Sequence, residues 1–174
     1  MDVQDNNLTK LCSFYVSDWH LVTMLLPYIN KKINEQAQIA TILENNVEEN
    51  VKKLVEKLNL KNKEKILKLN WNNKLSTKEI FNNINNKEIV IIINGTRDYI
   101  TRQNIKLLRY IQKNKIENKI KIINCYEIVE FNGSIEDILD KHDKILNTSG
   151  EKEINEIFID YKRKNVEDKD RAVV

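Results

Sequence analysis

The run Ile89-Val90-Ile91-Ile92-Ile93 sets the tightest limit on what this chain can become. Five successive apolar residues suit a strand covered on both faces, because a strand with one wet face alternates apolar and polar side chains. Such strands belong to parallel sheets, whose crossover connections lay helices over the faces. The run belongs to a strand over Glu88–Ile93, and four more segments read as strands, each short, apolar and bounded by polar residues: Leu11–Val16, Ala37–Leu43, Ile66–Trp71 and Lys119–Tyr126. Helical patterns fill most of the gaps, over Leu21–Ile33, Glu48–Leu58, Thr101–Gln112 and Ile135–Leu146. In the second of these Val51, Leu54, Val55 and Leu58 recur on one face of a 3.6-residue period. The alternation predicts an α/β fold, a three-layer sandwich around a mainly parallel five-stranded sheet.

With 174 residues, 41% of them hydrophobic, the chain can bury one core of ordinary size without disulfides or metals. Three Gly and one Pro leave no linker between domains, so residues 1–150 are expected to form a single unit. Pro27 falls inside the first helical pattern and should kink or end it. Gly133-Ser134 reads as a turn and N-cap, and Ser149-Gly150 as the close of the last helix. In the tail, Ile154, Ile157, Phe158 and Tyr161 have helical spacing. That predicts a packing helix over Glu153–Lys164 within residues 151–174, ending in the charged, disordered run Lys162–Arg171.

Twenty-nine Lys and Arg are interspersed with 26 Asp and Glu for a net charge of +3, which argues against a nucleic-acid binder with a basic face. No segment approaches the roughly 18 apolar residues of a membrane span, and the polar start MDVQDNNLTK is unlike a signal sequence. A cytoplasmic location without membrane contact is the expectation. Cys12 and Cys125 lie in apolar runs without a CxxC pair and read as reduced core thiols. With two Cys and two His lacking ligand-pair spacing, neither a metal nor a cofactor is expected.

Open parallel sheets bind ligands beyond the carboxyl ends of their strands. Reading those ends gives Ser17, Asp18, Trp19 and His20 after the first strand, Glu44 after the second, Asn94 and Arg97 after the fourth, and Tyr126 with Glu127 after the fifth. Of these, Ser17, Asp18, Trp19, His20, Glu44, Asn94, Arg97 and Tyr126 are the candidate ligand-binding residues. Nucleotide hydrolysis by the usual route is disfavoured, because no GxxxxGK[ST] loop is present to cradle phosphates. The strand IVIIIN also ends in Asn94 rather than the Asp that would hold hydrated Mg²⁺. No residue is assigned to catalysis. Asp18 could contact a ligand or cap the following helix, and His20 could titrate as a switch or simply be a satisfied surface group. Trp19, Tyr15 and Trp71 could line a pocket or fill the core. Arg97 could bind an anion bidentately or pair with Asp98.

The segments FYVSDWHLVTMLLPYINKKINEQAQIATILENN, IVIIINGTRDY and INCYEIVEFNGSIEDILDKHDKIL resemble the MEDS domain, a sensory domain related to degenerate RecA-like ATPases. The likeness covers most of Leu11–Gly150. Its best-matched parts are the Phe14-Tyr15 strand leading to Pro27-Tyr28, the strand ending Cys125-Tyr126, and the helix carrying His142. Two positions depart from the family pattern: Glu35-Gln36 stands in place of a Gly-Glu pair, and His142-Asp143 in place of His-Pro. The resemblance implies a RecA-like sheet without ATPase machinery that senses a small ligand, with hydrocarbon derivatives proposed for the family, and signals to a protein partner. In such a sheet Glu44 would be a relic of the carboxylate that polarises water. The resemblance also implies that the fifth strand lies between the first and fourth, bringing Tyr126 beside Asp18 and Asn94. A non-enzymatic cytoplasmic sensor, possible as a homodimer, is therefore the leading expectation. A protein-interaction scaffold on the same degenerate fold is the alternative, and an unconventional nucleotide binder a third.

Overall fold

The computed structural model describes residues 7–72, 77–82, 87–128 and 135–163. In chain order the elements are β1 (Leu8–Tyr15), α1 (Asp18–Asn34), β2 (Gln38–Leu43), α2 (Glu48–Lys57), α3 (Lys63–Leu67), α4 (Thr77–Phe81), β3 (Glu88–Gly95), α5 (Arg97–Lys113), β4 (Lys119–Glu127), α6 (Ile135–Leu139), β5 (Lys144–Asn147), β6 (Gly150–Glu153) and α7 (Ile154–Ile157). The strands form a six-stranded sheet in the order β2-β3-β4-β1-β5-β6. Every neighbouring pair is parallel except the β5–β6 hairpin. The α/β class and the mainly parallel sheet are as expected, and β4 does lie between β1 and β3. The sheet has six strands rather than five and is mixed.

Side chains of β3 alternate between two buried clusters. Val90 and Ile92 join Leu11, Tyr15, Leu25, Val51 and Cys125 beside α1 and α2. Ile89, Ile91 and Ile93 join Cys12, Leu107, Ile122 and Tyr126 beside α5. The pleat sends successive residues to opposite faces, so the continuous apolar run of β3 is explained by burial in both clusters. Full burial of Ile91 and Ile92 is worth roughly 1.5–3 kcal/mol each.

Three segments depart from the expected pattern. Ile66–Trp71 is not a strand: it opens as the end of α3 and continues as an irregular stretch over the edge strand β2. There the Thr41 hydroxyl donates to the Asn70 carbonyl. The Trp71 indole N–H donates to the Ile66 carbonyl at 2.8 Å, so Ile66 and Trp71 enter the α1-side core without a ladder. The second departure is Ile135–Leu146, which is not one helix. α6 ends at Leu139, and Asp143 clamps the chain to β1, its N–H donating to the Lys10 carbonyl at 2.7 Å and its carboxylate accepting from the Lys10 N–H at 2.9 Å. That clamp puts the next residues in register as β5. The third is the tail, where β6 extends the sheet and only the short α7 is helical, followed by Tyr161 buried in the α5-side core.

α1 runs through Pro27, which lies exposed on its outer side. Gly133-Ser134 and the run beyond Arg163 fall outside the described residues.

Candidate functional site

The carboxyl ends of β1–β4 and the first turns of α1 and α5 carry the residues expected to bind a ligand. The backbone at α1 is built by its own side chains. Ser17, extended at φ −157°, is the N-cap and its hydroxyl accepts from the His20 N–H at 3.1 Å. His20 Nδ1 in turn accepts from the Val16 N–H at 3.1 Å, so the imidazole is engaged locally. The cap is therefore Ser17 and not Asp18. Asp18 is exposed in the first turn, where its charge complements the helix dipole. Trp19 is 38% exposed rather than core, and the Lys57 ammonium lies over its ring at 5.3 Å. Trp71, by contrast, is core.

At α5 the cap is Thr96, which accepts from the Tyr99 N–H. The Glu44 carboxylate accepts from the Thr96 N–H at 2.9 Å, so this helix start carries an anion of its own. Gly95, at φ +152°, is required here: a Cβ would lie 2.7 Å from a Tyr99 ring carbon and 2.8 Å from Glu44 Cβ. Among the described residues Arg97 makes no ion pair, with Asp98 or any other.

The pleat divides the expected site in two. Glu44, Arg97 and Tyr126 belong to the α5 side. Glu44 holds the start of α5, Arg97 is its first residue, and Tyr126 packs 6.0 Å from Phe14 and edge-on to His142. Ser17, Asp18, Trp19, His20 and Asn94 belong to the α1 side. Tyr126 and Asn94 thus sit on neighbouring strands, as the resemblance implies, but their side chains face opposite ways. Burial, above all, raises the Tyr126 hydroxyl well above its ordinary range.

On the α1 side, Asn94 is completely buried, and its Nδ2 reaches across β4 to lie 3.5 Å from the Tyr15 hydroxyl. Its Oδ1 has no hydrogen-bond partner. Burial pushes the Tyr15 hydroxyl upward, with the carboxylates of Glu127 and Asp18 adding to the effect. Tyr15 and Glu127 stand opposite one another in the β1–β4 register. Three clefts lined by described residues lie elsewhere, the roomiest of about 660 Å³ at the amino ends of β1 and β4. No group of three or more His, Cys, Asp or Glu among the described residues is placed to hold a metal.

No protein-family model, no curated protein and no solved structure matches this chain.

Two further features concern residues outside the expected set. Cys12 and Cys125 are free and buried on neighbouring strands, but they face opposite clusters. Burial pushes the Cys12 thiol up to about 12 and raises Cys125 as well, so neither is a ready nucleophile. Beneath α5 runs a closed polar chain. His142 Nδ1 lies 2.6 Å from the Ile138 carbonyl, and the Asn124 amide donates to His142 Nε2 at 2.9 Å. Asn124 and Asn104 exchange two amide bonds, at 2.8 and 3.1 Å, and Asn104 also donates to the Ile100 carbonyl. Asn124 within the apolar strand KIKIINCYE was the sequence signal for it, because a buried amide needs partners.

Among the described residues, no helix is long and apolar enough to cross a membrane.

Proposed function

We propose that this protein is a non-enzymatic regulatory domain that binds a small polar ligand on the α1 side of the sheet's carboxyl edge and signals to a protein partner. In this reading the sheet is a RecA-like three-layer sandwich of the MEDS type, with the phosphate grip replaced by the self-capped start of α1. The observation that carries it is the Asn94 amide, wholly buried at the centre of that edge with an oxygen that bonds to nothing. An unmet buried acceptor costs on the order of 1–3 kcal/mol, and such costs persist at sites where a ligand meets them.

The test is an Asn94→Val variant, screened beside the parent by thermal shift against small organic acids, amines, alcohols and nucleotides. The expected outcome is a variant at least as stable as the parent that has lost the parent's ligand-induced shift. A ligand at a hundred times its Kd adds about 2.7 kcal/mol to stability. A parent that responds to nothing, or a variant that responds as the parent does, would remove the reading.

A second reading, the interaction module, is favoured by Val16, Trp19 and Ile128, which are 62%, 38% and 47% exposed at the same edge. If Trp19→Ala abolishes capture of a partner while every small ligand is ignored, this reading replaces the first.

A further inference from the structure

The strands of the sheet are not joined equally. β1 and β4 stay in register from Leu8↔Ile120 to Tyr15↔Glu127, and β3 and β4 from Glu88↔Lys119 to Gly95↔Tyr126. β1 and β5 meet at Leu11↔Lys144 and Cys12↔Ile145 alone. Beyond that joint β5 pairs with β6. Residues 135–163, which comprise α6, β5, β6, α7 and the described end of the tail, therefore hang on the sheet by its shortest parallel ladder.

Side chains reinforce this seam. The Ser13 hydroxyl donates to the Leu146 carbonyl at 2.9 Å, Lys121 pairs with Glu151 at 2.8 Å, and Asp143 is clamped to the Lys10 backbone. Ile138, Leu139, Ile145 and Tyr161 add apolar burial in the α5-side core. His142 reaches past β1, its Nε2 accepting from the Asn124 amide of β4 at 2.9 Å. Turn and tail are tied to each other: Arg163 donates to the His142 carbonyl at 2.5 Å and the Tyr161 hydroxyl to the Asp140 carboxylate at 2.6 Å.

A second proton on the imidazole would sit on Nε2, because Nδ1 already donates to the Ile138 carbonyl. It would point at the Asn124 NH₂, which two bonds to Asn104 hold in place. The surroundings offer that charge little relief. Lys10 of β1, Lys141 of the turn and Arg163 of the tail are cations, while Asp140 accepts from Tyr161 and Asp143 from the Lys10 N–H. β4, α5 and β1 otherwise bring the neutral Tyr126, Asn104 and Cys12 to this cluster. β4 is fixed by long ladders on both sides, so the turn carrying His142 is the partner that yields.

We infer that a proton on His142 opens the seam between β1 and β5, releasing residues 135–163 as one unit at lower cost than unfolding the whole sheet. The open form hydrates the imidazolium, parts it from Lys10 and uncovers the edge of β1. This acid-sensitive latch is independent of the ligand-binding reading.

The test is native-state hydrogen exchange, followed by NMR on the full chain in low urea from about pH 6.5 to about pH 5.0, with amide rates corrected for the intrinsic effect of pH. The β5 and β6 amides should exchange through an opening of smaller urea dependence than that of Ile91 and Ile92 in β3. Their protection should fall about tenfold per pH unit, roughly thirtyfold over the range, because opening takes up one proton. In His142→Gln, which can still accept from Asn124, that fall should vanish. If β5 and β6 share the urea dependence of β3 throughout, the chain opens all at once and the inference is overturned. Protection that ignores pH overturns it too, as does a fall that persists in His142→Gln. The urea comparison is made within the parent and decides the matter even where the variant does not fold.

Discussion

Acidification should destabilise this protein through His142. The imidazole is 1% exposed, and its two nitrogens have fixed roles. A carbonyl oxygen only accepts, so Nδ1 at 2.6 Å from the Ile138 carbonyl must carry the proton, and Nε2 must accept from Asn124. A second proton on Nε2 would point at the Asn124 NH₂. Turning that amide to accept would break its paired bonds with Asn104. The surrounding charges add to the penalty: burial is the largest cause holding His142 well below its ordinary value, and Lys10 of β1, Lys141 beside it and Arg163 of the tail are all cationic. The Tyr126 ring meets it edge-on.

An unfolded histidine takes up its proton near pH 6.5 while the folded one refuses it. The contribution is thus complete above 6.5 and is lost as pH falls, at about 1.36 kcal/mol per pH unit. Between pH 6.5 and 5.0 the loss is about 1.5 × 1.36, or roughly 2 kcal/mol, before most carboxylates titrate. Urea unfolding at half-unit pH steps, on the parent and on His142→Gln, reads this directly. Gln can still accept from Asn124 but does not ionise, so its stability should be nearly flat over that interval. A variant that keeps the parent's slope, or a folded-state His142 resonance titrating near 6.5, would refute the reasoning.

Gly95→Ala should destabilise by about 2 kcal/mol or more, since a new Cβ meets Tyr99 and Glu44 at a backbone angle that side chains avoid; the midpoint of chemical unfolding measures it. Lys32→Met should cost about 2 kcal/mol, because it removes the ammonium bonded at 3.0 Å to a Glu88 side chain only 19% exposed and leaves that carboxylate with the more distant Lys119 at 3.7 Å, and adding Glu88→Gln should recover part of the loss in the same assay. Burial opposes the charge of Lys32, but Glu88 and Glu35 more than offset that and raise its pKa to about 12. Ser17→Ala should cost about 1 kcal/mol through the lost cap on α1, while Ser17→Asp should restore most of it, as thermal melts will show.

The apolar runs made the α/β class and the covered strands legible, because burial on both faces leaves a pattern in the residues themselves. β3 and β4 follow the apolar pattern nearly to their ends for this reason. Ile66–Trp71 and Ile135–Leu146 misled because a short apolar pattern states that residues are buried but not by which geometry. In the first case burial is met by an irregular cover over β2, and in the second by a helical turn followed by a strand. What turned Lys144–Asn147 into β5 is the clamp between Asp143 and Lys10, 133 residues apart in the chain, which no local propensity encodes.

The candidate site divides in the same way. The sequence by itself determined most of the residues that stand at the carboxyl ends of the strands, because strand ends follow from local pattern, whereas the starts of α1 and α5, at Asp18 and Arg97, lie three and four residues ahead of the apolar periodicity. Ser17 and Thr96 cap their helices through bonds to residues three positions on. Only the tertiary structure decided which of those residues share a surface. The β2-β3-β4-β1 order and the pleat send Asn94 toward Tyr15 and α1, and send Tyr126, Glu44 and Arg97 toward α5. The physical reason is that facing is set by strand register between distant segments: a shift of one residue would reverse every side chain without changing the sequence pattern.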